Sequence, residues 1–189
     1  MNIISVKNLS KDFGQERVLK SVTRDFERGK IHGIVGNNGS GKTVLMKCIC
    51  GFLIPTEGEV IVNGKRVGKD VDFPPGLGLI IETPGFLPNM TGVKNLEILA
   101  SLNKKIGLEQ IAAAIRRVGL DPLMKKPVGK YSLGDKHGVR EMRQLIKGLK
   151  EQGKTILLAS HNQGDIDELC DTVCEMDAGV MTIIREESI

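Results

Sequence analysis

Eight consecutive residues, GNNGSGKT at 36–43, carry the clearest chemistry in the chain. Glycines at 36, 39 and 41 allow the backbone to turn tightly and aim its N–H groups at one point. A helix that begins at Lys42 adds the positive end of its dipole. Lys42 supplies a compact cation, and Thr43 a hydroxyl able to meet Mg²⁺. This spacing, G-x-x-x-x-G-K-[ST] between a strand and a helix, is that of a loop cradling nucleotide phosphates. Gly36, Asn37, Asn38, Gly39, Ser40, Gly41, Lys42 and Thr43 are therefore the candidate phosphate-binding residues. A glycine-rich strand–helix turn with no ligand is the bland alternative.

Other groups with chemical potential are sparse. Cys48 and Cys50 flank one residue, and Cys170 and Cys174 stand at helical spacing, but no His or carboxylate completes a metal set beside either pair. All four read as buried free thiols. His32 lies inside the strand before the loop and reads as structural. His161 directly follows a buried apolar run, where a strand's C-terminal end would face a ligand crevice; an ordinary surface histidine is the alternative.

The elements that must position these groups follow from periodicity. NIISVKNLS and RVLKSVTRDFE alternate as half-buried strands, and KIHGIVG is a strand running into the loop. KTVLMKCIC is helical up to Gly51. GEVIVNGKRV is a hairpin turning at Asn-Gly, and LGLIIE is a short buried strand. Residues 91–120 read as helical, with apolar residues at Val93, Leu96, Ile98 and Leu99, then Ile111, Ile115 and Val118. Residues 135–152 form one long helix with Val139, Met142, Leu145, Ile146 and Leu149 on one side and Gly153 at its end. TILLAS is a fully buried strand, NQGDIDELC a helix, and DTVCEMDAGVMTII two strands about an Asp-Ala-Gly turn. The fold class is α/β: a mainly parallel sheet of the P-loop NTPase type, an N-terminal antiparallel β lobe and a helical lobe.

Over nearly its whole length the chain resembles the ATP-binding subunit of ATP-binding cassette transporters. KDFGQERVLKSVTRDFERGKIHGIVGNNGSGKT is similar to that family's N-terminal block, PTEGEVIVNGK to its β lobe, GLIIETPGFLPNMTGVKNL to the loop joining core and helical lobe, and LLASHN to its switch segment. The resemblance implies that Phe13 stacks on adenine, with a plain core aromatic as the less favoured alternative. It implies that Glu82, where the family usually has Gln, touches Mg²⁺ and the attacking water, and that His161 contacts the γ-phosphate. YSLG at 131–134 resembles the start of the family signature, so Ser132 and Gly134 would hold the γ-phosphate bound by a second subunit. The implied cofactors are ATP and Mg²⁺, with Thr43 and Glu82 on the metal side. The implied partners are a membrane permease and a second ATP-binding subunit, identical or not. The domain plan is one ATP-binding cassette over 1–189: a core with β lobe from 1–82 and 135–189, and a helical lobe with the signature from 83–134.

At Gly134 the resemblance breaks. DKHGVREMRQLIKGLKEQGKTILLASHN is similar to the family from a much later point onward. The signature helix and the Walker B strand ending in Asp-Glu are missing, about two to three dozen residues. That strand would lie between LGLIIE and TILLAS, and each unpaired buried peptide group costs on the order of 1–3 kcal/mol. Asp165, Asp167 and Glu168 lie on a polar helix, not at a strand end. The expectation is therefore a chain that binds ATP but whose turnover is doubtful.

Composition fits these readings and excludes others. With 189 residues, 40% apolar and 26% charged, the chain can bury a domain core. The net charge of +4 comes without a block of like charges, so nucleic acid is not an expected partner. No apolar run reaches the ~18–20 residues of a membrane span, and the charged N-terminus is not a signal peptide. The expected location is cytoplasmic, peripheral at the inner face of the cell membrane. Two other classes stay open: a nucleotide-binding regulator without turnover, favoured by the missing Asp-Glu, and another P-loop enzyme such as a small-molecule kinase.

Overall fold

The computed structural model of the chain describes residues 1–76, 87–103, 106–117, 119–130, 136–160 and 163–186. It divides into two compact units, Met1–Ile81 with Leu149–Ile189, and Glu82–Gly148. The second boundary falls at Gly148, inside a helix, whereas the sequence expectation placed it at Asp135.

The first unit holds two four-stranded sheets. One is antiparallel, built from β1 (Asn2–Phe13), β2 (Glu16–Glu27), β4 (Glu57–Val62) and β5 (Lys65–Arg66) in the order β2-β1-β4-β5. Alternation in β1 buries Ile4 and Val6, then slips at a bulge so that Leu9 and Ser10 face inward. Asn8 and Ser21 take left-handed backbone conformations at this irregularity (φ 48° and 51°). The β4–β5 connection turns at Asn63 (φ 51°) and Gly64 (φ 76°), the pair of left-handed residues that a tight hairpin needs.

The second sheet holds β3 (Ile31–Val35), β6 (Ile156–Ala159), β7 (Thr172–Asp177) and β8 (Val180–Arg185) in the order β6-β3-β7-β8. β3 runs parallel to both β6 and β7, and β8 closes antiparallel on β7. Helix α1 (Lys42–Ile49) follows the glycine loop and buries Leu45, Cys48 and Ile49 into the shared core with Phe26, Leu19 and Met176. Helix α5 (Gln163–Leu169) packs on β3 where Gly33 leaves space: a Cβ there would sit 2.9 Å from the Cys170 Sγ.

One expectation fails here. TILLAS was expected to be a fully buried strand, but Ile156, Leu157 and Leu158 of β6 are half-buried and Ala159 is exposed. The physical reason is position: among the described residues β6 ends its sheet and pairs only with β3. LGLIIE lies outside the described residues.

The second unit holds α2 (Gly92–Asn103), α3 (Leu108–Arg117), a short 3-10 turn at Val128–Lys130 and most of α4 (Lys136–Glu151), whose last turn belongs to the first unit. The expected helical stretch from 91 to 120 is thus two helices. Of its apolar residues Ile111 and Ile115 are buried, Ile98 and Leu99 are exposed, and Val118 lies outside the described residues. Among the α2 side chains whose burial is described the buried one is Asn95, whose Oδ1 accepts the Leu87 N–H (2.7 Å) and whose amide donates to the Leu87 and Thr91 carbonyls (3.2 and 3.1 Å). An amide whose bonds are all satisfied internally costs little to bury.

Candidate functional site

The glycine loop joins β3 to α1, as its spacing predicts. Gly36, Gly39 and Gly41 all adopt positive φ (137°, 80° and 104°). Two of them also allow close approach. A Cβ on Gly36 would fall 2.1 Å from the Met176 carbonyl, and one on Gly41 would fall 2.9 Å from Leu19. Gly39 has open space beyond it, and Asn37, Asn38 and Gly39 form the exposed rim. Ser40 is 4% exposed, and its N–H bonds the Asn37 carbonyl at 3.2 Å. The Leu45 N–H bonds the Gly41 carbonyl at 2.9 Å, starting the helix there.

Lys42 folds back over this loop. Its Nζ donates to the Gly36 carbonyl (2.7 Å), the Asn37 carbonyl (2.8 Å) and the Ser40 hydroxyl (3.3 Å). Partial burial pulls its pKa below the ordinary lysine value. Among the described residues the ammonium is held by three neutral oxygens and meets no carboxylate, so a phosphate at the mouth of the loop would supply a counter-anion. Thr43 follows at the first turn of α1, half-buried.

Two neighbours that sequence reasoning missed hold the loop. The Gly179 N–H donates to the Ser40 carbonyl (3.2 Å), and the Lys20 N–H donates to the Gly179 carbonyl (2.9 Å). The β7–β8 turn and the start of β2 therefore brace the loop together. The expected Asp-Ala-Gly turn gave the only sequence signal; its contact with the loop spans well over a hundred residues.

Phe13 ends β1 beside the turn at Gly14 and is 46% exposed, so it is not a core aromatic. The Lys11 Nζ lies 5.3 Å from its ring centroid and donates to the Ile54 carbonyl at 2.8 Å. Nearby Arg17 pairs with Asp12 (2.8 Å) and Glu57 (2.9 Å), tying the same hairpin to β4.

His32 is structural, as expected. It is 1% exposed, with Nε2 donating to the Glu27 carbonyl (2.9 Å) and Nδ1 accepting from the Thr172 hydroxyl (2.7 Å). The cysteines are buried and free, and burial pushes Cys48 and Cys170 up to about 11. Among the described residues no His, Cys, Asp and Glu cluster could hold a metal by itself. The loop fits a polyphosphate, and toward Mg²⁺ it offers the Thr43 hydroxyl. Glu82, Ser132, Gly134 and His161 lie outside the described residues.

Comparisons with known proteins agree with this geometry. A family model described as ABC transporter matches residues 19–159. YybJ, an ABC transporter ATP-binding protein of Bacillus subtilis, is 34% identical over 204 positions, covering 94% of each chain. The bacitracin transport ATP-binding protein BcrA of Enterococcus faecalis is 31% identical, covering 94% of this chain and 67% of BcrA. A solved nucleotide-free ATP-binding cassette from an ABC transporter superposes with a TM-score of 0.78 at 24% identity, over 98% of this chain and 90% of its own. The dimeric structure of a bacterial ABC transporter cassette gives 0.78 at 20% identity, over 96% and 99%. The structural likenesses carry the fold and the sequence matches carry the kinship: the chain belongs to the ABC transporter family, among its ATP-binding proteins.

Proposed function

We propose that the chain is the ATP-binding subunit of an exporter, working at the cytoplasmic membrane face with a separate permease and a second ATP-binding subunit. The observation that carries ATP binding is the Lys42 ammonium held over the mouth of the glycine loop by the Gly36 and Asn37 carbonyls. Loop N–H groups and Lys42 would take the β- and γ-phosphates, and Phe13 would offer its exposed ring to adenine. Thr43 would present its hydroxyl to Mg²⁺, which when bound neutralises phosphate charge. By family resemblance Glu82 and His161 would sense the γ-phosphate, and Ser132 and Gly134 would reach the nucleotide of the partner subunit. Relatives named for bacitracin and lantibiotic transport support a peptide-antibiotic type of cargo. Calorimetry tests the site: Lys42→Ala should weaken Mg-ATP binding at least tenfold, and equal affinity in both proteins would overturn the assignment.

A second reading has its own support. The alignment with YybJ runs over 204 positions, more than the 189 residues of this chain. The relative therefore has positions without a counterpart here, as the break at Gly134 implies. On this reading the chain binds nucleotide without turnover, because the Asp-Glu that would position metal and water is gone.

A further inference from the structure

We infer that Lys11 is a positioning residue for the nucleotide base, acting through Phe13; this rests on the proposed stacking of adenine on that ring. Three observations meet at Lys11. Its ammonium lies 5.3 Å from the Phe13 centroid, within cation–π range. The same ammonium donates to the Ile54 carbonyl at 2.8 Å, in the segment that leaves α1. The Phe13 ring is 46% exposed although it ends a long strand.

The geometry gives Lys11 two effects. Phe13 sits next to the Gly14 turn and is 46% exposed, so its side chain has more than one rotamer available. A cation held over the ring selects one of them. The bond to Ile54 then fixes that rotamer against the segment following α1, the helix that opens at the phosphate loop. Through that bond the ring is tied to the segment that continues from the phosphate-loop helix, so the base finds the ring already placed. The cation also leaves a ring face for the base, since it occupies one side only. The β1–β2 register shifts between Lys11 and Asp12, and the Asp12 carboxylate accepts from Arg17 rather than meeting the ring.

A nucleotide titration with base-free controls tests this. ATP and inorganic tripolyphosphate, each with Mg²⁺, are titrated by calorimetry into the wild-type chain and the Lys11→Met, Lys11→Arg, Phe13→Ala and double Lys11→Met/Phe13→Ala variants. Lys11→Met should weaken ATP about 3- to 10-fold, leave tripolyphosphate unchanged, and add nothing on top of Phe13→Ala. Lys11→Arg, which keeps a cation over the ring, should restore ATP affinity. Equal weakening of tripolyphosphate, or a full Lys11→Met loss in the Phe13→Ala background, would overturn the inference by showing a general structural role. If Phe13→Ala weakens ATP and Lys11→Met does not, the positioning role fails and stacking stands. If Phe13→Ala leaves ATP affinity unchanged, the stacking itself fails and the inference with it.

Discussion

Gly179 and Ser40 are joined by a backbone hydrogen bond of 3.2 Å between the C-terminal hairpin and the phosphate loop. Gly179 has φ 86°, and a Cβ on it would lie 2.3 Å from the Val18 carbonyl. Only glycine meets both demands, left-handed backbone and close approach.

Gly179→Ala should therefore destabilise the chain by about 1–3 kcal/mol and weaken ATP binding as the loop loses its brace. Urea unfolding and calorimetry read the two effects. An unchanged unfolding midpoint with unchanged ATP affinity would show that the brace is dispensable.

Arg185 donates through Nη2 to the Ile166 and Cys170 carbonyls (2.8 and 2.7 Å), satisfying the C-terminal end of α5. Arg185→Ala should cost about 1–2 kcal/mol in urea unfolding. Arg185→Lys should recover part of this, because one ammonium replaces a two-bond fork incompletely.

Burial holds the His32 imidazole below its ordinary pKa of about 6.5. The folded state keeps it neutral while the unfolded chain takes up a proton. This contribution is therefore complete above pH about 6.5 and is lost as pH falls below it. His32→Gln should have lower stability at pH 8 but a flatter profile between pH 7 and 5. Parallel profiles for the two proteins would show that another group sets the acid limit.

Turnover gives the sharpest outcome. Losing one positioned catalytic group commonly costs 10²–10⁴-fold, and the family's Asp-Glu supplies two. Phosphate release by the 189-residue chain should not exceed that of Lys42→Ala. A family-like segment inserted between Gly134 and Asp135 should recover it. Clear release by the unaltered chain would point to a replacement carboxylate, with Glu82→Gln and Asp135→Asn as the variants that identify it.

The phosphate loop was legible from eight residues because its function depends on local backbone conformations that glycine alone adopts readily, and Gly36, Gly39 and Gly41 all adopt them. The hairpins at Asn63-Gly64 and Ala178-Gly179 were legible for the same reason, whereas the β1–β2 turn at Gly14 was not read from the sequence. His32 and the cysteines were read correctly as interior groups because nothing nearby in sequence completed a site. The tertiary structure decided what periodicity cannot encode. The apolar run of β6 looked fully buried, yet it is half-exposed because burial depends on which strands flank it, and β6 ends its sheet among the described residues. Asn95 became a buried residue of α2 because its amide closes bonds to Leu87 and Thr91 that no pattern of apolar residues announces. Lys11 was one more strand lysine until the fold set its ammonium over Phe13 and against Ile54. Local conformation is written in residue type, whereas contacts between distant segments are fixed only when the chain closes its core around them.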